Sequence, residues 1–358
     1  MNIEQKLHRF QDFWNNKPVS SPLIGFDVGG WFPFQRFSAL KELPEDAYLD
    51  PDSLDPFKCL QDYKQYLSRL LELPDDLVKG IAPIPAVPWI EGMLGCKIKR
   101  KGDSLWAEES KLDYSKLQTF DTFSNSPWYR VYLRFVETLA KAWNGEYPVG
   151  LPILRGVSDL LGALRGHTEA ILDAVENPNR VKHTARKLAR VIIQVTRAHH
   201  RCAGMFQGGY TIEQYGIWAP GPLVRIQEDA SALYSPELFR TCILPADRII
   251  AQAFPYSLIH LHGSSLFLLE EFLSVKEIGV FQVNRDVGEM DLKEMKPFLE
   301  QIQNRGRRLL LRGPFTEQDY QWIRQHLSPV GLVVQTVGNS LEQAQELIRA
   351  ASRIFRNT

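Results

Sequence analysis

Eight short apolar segments, at 22–29, 78–87, 148–156, 208–218, 257–263, 280–286, 308–314 and 331–338, each end in Gly, Pro or a polar residue, with helical patterns filling most of the gaps. Parallel strands need a long crossover, usually a helix, so alternating strands and helices imply a parallel sheet; eight of them suggest closure. The expected fold class is therefore α/β, a single (β/α)8 TIM barrel spanning residues 1–358. Such barrels routinely use about 250 residues or more as one unit. No low-complexity tract or linker divides the chain.

The gaps carry their own signals. Residues 166–200 repeat apolar side chains at helical spacing, from Ile171, Leu172 and Val175 to Val191, Ile192 and Val195, and 341–355 forms another amphipathic pattern. Ser235-Pro236-Glu237 opens a helix with a capping hydroxyl, a proline at the first position and an acid near the positive dipole end. Between Cys96 and Ala107, polar and apolar residues alternate around Lys101-Gly102-Asp103, which predicts a small β-hairpin inserted after the second strand. The Pro-, Asp- and Glu-rich stretch from Ser38 to Asp55 reads as a long ordered loop over the barrel mouth.

Forty-two basic residues balance forty-two acidic ones. That leaves no net field to attract a nucleic-acid backbone or an anionic membrane, so the expected partner is a small molecule. The N-terminus begins a charged amphipathic helix, and no later run approaches membrane-spanning length, which points to the cytoplasm. Cys59, Cys96, Cys202 and Cys242 show no CxxC spacing and read as buried free thiols.

The fifth segment contains His260-Leu261-His262-Gly263. Strand alternation sends both imidazoles to one face, at the end where barrels keep their chemistry. Alternate residues lie about 6.6 Å apart, a span two imidazoles can bridge to one ion. His260 and His262 are thus candidate metal ligands, zinc being the candidate ion, with Glu228, Asp229, Asp286 or water completing the set. Without a cofactor, the pair would hydrogen-bond neighbouring acids and move protons.

Other segment ends supply further candidates. Asp27 closes the first strand as a general acid or base, or as a turn-initiating residue, and Gly29-Gly30 after it allow close backbone approach. Arg155 is either an anion clamp or an ion-pair partner for Asp159 or Glu228. Glu91 reads as a helix-start acid beside Trp89. Tyr215 and Trp218, just before Gln227-Glu228-Asp229, suggest a stacking wall or core filling; Glu228 and Asp229 read as a repelling acid pair or as solvated caps. Gln282, Asn284 and Asp286 share a face of the sixth strand and Arg312 ends the seventh, so polar rows point inward on several strands. The catalytic candidates are Asp27, Glu228, His260 and His262; the binding candidates are Trp89, Arg155, Tyr215, Trp218, Asn284, Asp286 and Arg312.

Pro88-Trp-Ile-Glu-Gly-Met-Leu-Gly-Cys96, Arg155-Gly-Val-Ser-Asp159, the stretch from Gln227 to Phe239 and His260-x-His262-Gly263 together resemble the uroporphyrinogen decarboxylase superfamily, in matching order over essentially the whole chain. The resemblance implies a TIM-barrel enzyme, often a homodimer, of one of two kinds. Decarboxylases carry arginines after the first strand to receive substrate carboxylates, yet Phe26 to Phe34 contains none. Corrinoid methyltransferases bind zinc through a His-x-Cys-Gly strand and a cysteine near the last strand. Here His262 replaces the first cysteine, and Gly331 to Gly338 has no cysteine. The expectation is metal-assisted methyl transfer with a corrinoid protein as partner. The alternatives are metal-free decarboxylation, using Asp27 or Glu228 to stabilise a cationic intermediate, and a non-catalytic barrel that binds a carbohydrate or another small ligand.

Overall fold

The computed structural model describes residues 1–28, 33–114 and 122–356. Gly29-Gly30 lie outside the described residues. The strands are β1 (Leu23–Val28), β2 (Ile98–Lys101), β3 (Ser104–Ala107), β4 (Tyr210–Ile212), β5 (Ile217–Ala219), β6 (Leu223–Gln227), β7 (Tyr256–Leu261), β8 (Val280–Asn284), β9 (Arg308–Gly313) and β10 (Leu332–Gly338). Six of them form one parallel sheet in the order β1-β10-β9-β8-β7-β6, with helices in the connections. The fold is mixed α/β.

Pairing sets every strand of this sheet in one parity. Gln227 lies opposite His260, His260 opposite Gln282, Gln282 opposite Leu310, Leu310 opposite Val333 and Val333 opposite Leu23. Ile226, Ile259, Phe281, Leu309 and Val334 point the other way and pack beneath the helices. The first face is apolar only at its N-terminal end. There Leu23, Leu223, Leu258, Val280, Leu310 and Val333 form a second core closed by Phe10, Phe13 and Trp14 of the helix Ile3–Trp14, with Trp14 Nε1 donating to the Trp218 carbonyl at 2.7 Å. One strand pitch further on, the same face carries Arg225, Gln227, His260, Gln282, Arg312 and Gln335.

The second, third and fourth predicted strands turn out differently. Segments 78–87 and 148–156 contribute single parallel bridges, Ile81 with Val149 and Leu151 with Ile212, rather than ladders. Pro83, Pro85, Pro148 and Pro152 remove the N–H donors that a ladder needs. The fourth segment, 208–218, is an antiparallel hairpin of β4 and β5, turned by Glu213–Tyr215 and by Gly216 in the left-handed region (φ 57). The parallel strand is the next stretch, Leu223–Gln227, whose inward arginine and glutamine hide its strand character from an apolar pattern.

The β2–β3 hairpin forms as expected, with Gly102 at φ 59. The 38–55 stretch is fastened to it by Leu49 N–H to Ile98 O (2.8 Å) and Arg100 N–H to Ala47 O (2.9 Å), so it backs the hairpin instead of lining the cavity described below. The expected 166–200 helix breaks at Asn177-Pro178 into His167–Glu176 and Pro178–Ala203, because a residue preceding proline is pushed out of the helical region. No helix among the described residues is long and apolar enough to cross a membrane.

Among the described residues, strand β1 pairs with β10 on one side only. Its other edge is met by two carboxylates: Asp76 Oδ2 accepts from Ile24 N–H at 2.8 Å and Asp75 Oδ2 from Phe26 N–H at 2.9 Å, while Asp76 N–H returns a bond to Ile24 O. Arg9 and Lys79 balance these charges at 2.9 and 2.6 Å. Asp76→Ala would strand the Ile24 N–H and take a carboxylate from Arg9, whose guanidinium keeps its bonds to the Ser21 and Pro22 carbonyls. The expected loss is about 2–3 kcal/mol of unfolding free energy from urea titration, with Asp76→Asn losing less. A change below about 0.5 kcal/mol would remove this edge from the structural account.

Candidate functional site

The polar ends of β6 to β9 open on a cavity of about 730 Å³. Arg155, Arg225, Gln227, Asp229, His260, His262, Asn284, Asp286 and Arg312 border it, with Val87, Trp106, Ile153 and Leu233 as apolar wall. Arg155 and the two histidines, far apart in sequence, therefore meet in one space.

Three ligand atoms converge at its base. His260 Nε2 and His262 Nε2 are 2.9 Å apart, and each is 3.7 Å from Asp229 Oδ1. The surrounding hydrogen bonds dictate what these atoms carry. Asp286 can only accept; Oδ1 takes Asn284 Nδ2–H at 3.3 Å, so Asn284 Oδ1 is free to accept Gln282 Nε2–H at 2.8 Å. Gln282 Oε1 consequently faces His260 Nδ1 and Tyr215 Oη and must accept from them. His262 Nδ1 likewise donates to Asp286 Oδ2 at 2.5 Å. Both rings thus hold their protons on Nδ1 and turn bare Nε2 lone pairs toward each other.

Asp229 is oriented in the same way. Arg225 donates to Gln227 Oε1, and Gln227 Nε2 donates to Asp229 Oδ2, leaving Oδ1 for the triangle. Three acceptors with no donor among them need a cation or a shared proton at the centre. The separations are short enough for one ion at a metal–nitrogen distance of about 2.1 Å, and imidazoles held from behind by carboxylate or amide oxygens are the usual support of such an ion. The residues fit a divalent metal.

Electrostatics divide the two histidines. Burial, with Arg225 adding to it, pushes the His260 pKa down to about 3, so this ring is neutral. Burial also opposes charge on His262, but the Asp286 hydrogen bond and the charges of Asp229, Asp286 and Glu289 outweigh it and raise its pKa. Asp229 and Asp286 are lowered in spite of burial because they face these imidazoles. Of the two rings, His262 is therefore the one on which a proton is favoured.

Several predicted site residues lie elsewhere. Glu228, expected to be catalytic, is 1% exposed and accepts from Val157 and Ser158 N–H, both at 2.7 Å. Asp159 replies from that helix, accepting from Asp229 and Ala230 N–H at 3.1 and 3.2 Å. This double clasp fixes the turn bearing Asp229 to the start of the helix Val157–Arg165. It demands glycine at position 156, where a Cβ would stand 1.6 Å from Gln227 O. Burial, followed by Asp229 and Glu228, pushes the Asp159 carboxyl well above its ordinary pKa.

Trp89, a predicted binding residue, packs instead on Trp128, Tyr132 and Phe135, and Trp218 fills the lower core, the second of its two readings; Trp106 of the hairpin, 48% exposed, is the aromatic at the cavity. Tyr215 is buried behind His260, with its hydroxyl 3.1 Å from Nδ1. Asp27 reaches the cavity only through Arg312, whose Nη2 donates to it at 2.6 Å. Glu91 stands in the first turn of the helix Trp89–Met93, as expected of a helix-start acid, and is buried there 3.4 Å from Arg155 Nε. Sequence reasoning missed Arg225, Trp106 and His167 as cavity residues. Alternation back from Gln227 through Arg225 to Leu223 was the available signal, once the strand was placed correctly.

Glu228→Ala would orphan two buried N–H groups, and a drop of about 2 kcal/mol in unfolding free energy is expected. A variant with wild-type stability but no activity would instead return Glu228 to the chemistry.

No family model and no curated protein matches the chain. Among solved structures, the chain is similar to a methyltransferase from Methanosarcina mazei, with a TM-score of 0.64 and 13% sequence identity over 96% of this chain and 97% of that one. What the two share at this identity is the fold, over nearly their full lengths.

Proposed function

We propose that the chain is an enzyme of metal-assisted methyl, or related one-carbon, transfer, built on a (β/α)8 barrel of the uroporphyrinogen decarboxylase type. The observation that carries this reading is the acceptor-only triangle of His260 Nε2, His262 Nε2 and Asp229 Oδ1 at the base of the cavity. The whole-length fold likeness to a methyltransferase supports it. The superfamily resemblance adds zinc as the ion and a corrinoid-bound methyl group, brought by a partner protein, as the donor.

A divalent ion held there supplies Lewis acidity, which makes a bound thiol or hydroxyl a nucleophile near neutral pH. The chain's own residues do the rest. Gln282 and Asp286 hold the two imidazoles in the required tautomer, and Gln227 keeps one Asp229 oxygen facing the triangle. Trp106, Leu233, Val87 and Ile153 keep water from the apolar side of the cavity.

The test is elemental analysis of purified protein. About one divalent ion per chain is expected, lost in His260→Ala, His262→Ala and Asp229→Ala, and bound about 10- to 100-fold more weakly in Asp286→Ala. Metal-free protein that still turns over substrate would favour decarboxylation and end the metal reading. Because the ion displaces a proton from His262, whose pKa is raised, metal affinity should fall as pH drops below that pKa. Calorimetry in buffers of different ionisation enthalpy should show proton release per ion that grows as pH falls; release that does not change with pH would contradict a proton held on His262 in the ion-free protein.

A further inference from the structure

The three cavity arginines differ in one respect. Arg155 has Glu91 at 3.4 Å and Arg312 has Asp27 at 2.6 Å. Arg225, 4% exposed in the middle of β6, has no carboxylate at ion-pair distance among the described residues. Its guanidinium donates to Gln227 Oε1, to Tyr215 Oη at 3.1 Å and to Gln214 Oε1 at 3.5 Å, all neutral acceptors, and its buried Nε–H has no acceptor among the described residues.

A guanidinium does not shed its proton, so this charge is buried without a counter-charge in contact. Such a group is costly unless an anion joins it. Orienting Gln227 does not account for it, since a neutral donor would serve that purpose. The cavity it borders is within the size range of small-molecule sites. The position is also suitable: Tyr215 Oη bonds both Arg225 and His260 Nδ1, so one hydroxyl and the His260 ring separate the guanidinium from the ligand triangle.

We propose that Arg225 anchors the anionic end of the substrate, a compact organic acid bearing a carboxylate, sulfonate or phosphonate. Its acid group sits on the cavity floor and its apolar body runs along Trp106 and Ile153. The anion site stands independently of the metal; placing the reactive end at His260, His262 and Asp229 rests on the function proposed above.

The test is calorimetric titration of the purified full-length protein with acetate, methanesulfonate and inorganic phosphate, with acetamide as the uncharged control and elemental analysis of the same preparation. Wild type should bind one of these anions at about one per chain and ignore acetamide. Arg225→Gln should weaken binding at least about tenfold and Arg225→Lys by less, while Arg312→Gln, whose arginine already has an acid partner, should change it less than about threefold. The ligand-free melting temperature of Arg225→Gln should equal or exceed that of wild type, because an uncompensated buried charge is removed; a clear fall would mark Arg225 as structural. Equal anion affinity in wild type and Arg225→Gln overturns the proposal. Since a bound metal could itself hold an anion, the titration is repeated on His262→Ala, where Arg225-dependent binding should persist. Arg225-dependent binding in protein devoid of metal keeps the anchor and sinks the triangle; metal present with Arg225-independent binding does the reverse.

Discussion

The inner face of the parallel sheet changes from apolar to polar within one strand pitch, and the rest of the molecule is arranged about that boundary. Leu258 and His260 are neighbours on one face of β7, as are Val280 and Gln282 on β8, and Leu310 and Arg312 on β9. On the apolar side of the line, the N-terminal helix closes the face with Phe10, Phe13 and Trp14. On the polar side no hydrophobic closure is possible without burying unsatisfied groups, so the strands must end in a cavity. The site is the consequence of an amphipathicity that runs along the strands instead of across them.

Within that cavity, direction is imposed by groups that can only accept or only donate. Asp286 at one end and Arg225 at the other set the orientation of every amide between them and the triangle. The two chains of polarity converge on lone pairs, which is why the site calls for a positive centre. The clasp of Glu228 and Asp159 gives this arrangement its rigidity. Neither carboxylate needs to touch a ligand, since each holds two backbone N–H groups of the other's segment. Burying two acids this way costs desolvation, which the four N–H bonds offset only in part, since both carboxyls keep a raised pKa.

Much of this was legible in the chain. Alternation placed His260 with His262 on one face, and Asn284 with Asp286 on another, because a strand's period of two is a local property. The hairpin at Gly102 and the helix start at Ser235 followed from local turn and capping chemistry. What failed was decided at a distance. Trp89 and Trp218 are suitable wall residues by type, and only packing against Trp128 or Trp14's helix puts them in the core. Glu228 and Asp229 are adjacent and chemically alike, yet opposite strand-end geometry sends one to backbone amides and the other to the histidines. The fourth strand was misplaced because Tyr210 to Trp218 is the more apolar stretch, and the true strand carries a buried arginine that no hydropathy pattern favours.

The sequence by itself determined the local hairpin and helix starts, the inward parity of the strand residues and the imidazole pair, since these depend on spacing along a single segment. Tertiary structure alone decided which acid completes the triangle, which arginine lacks a partner and which aromatics reach the cavity. Those outcomes depend on distances between segments up to hundreds of residues apart, such as Asp27 and Arg312, and on a desolvation balance that no single segment contains.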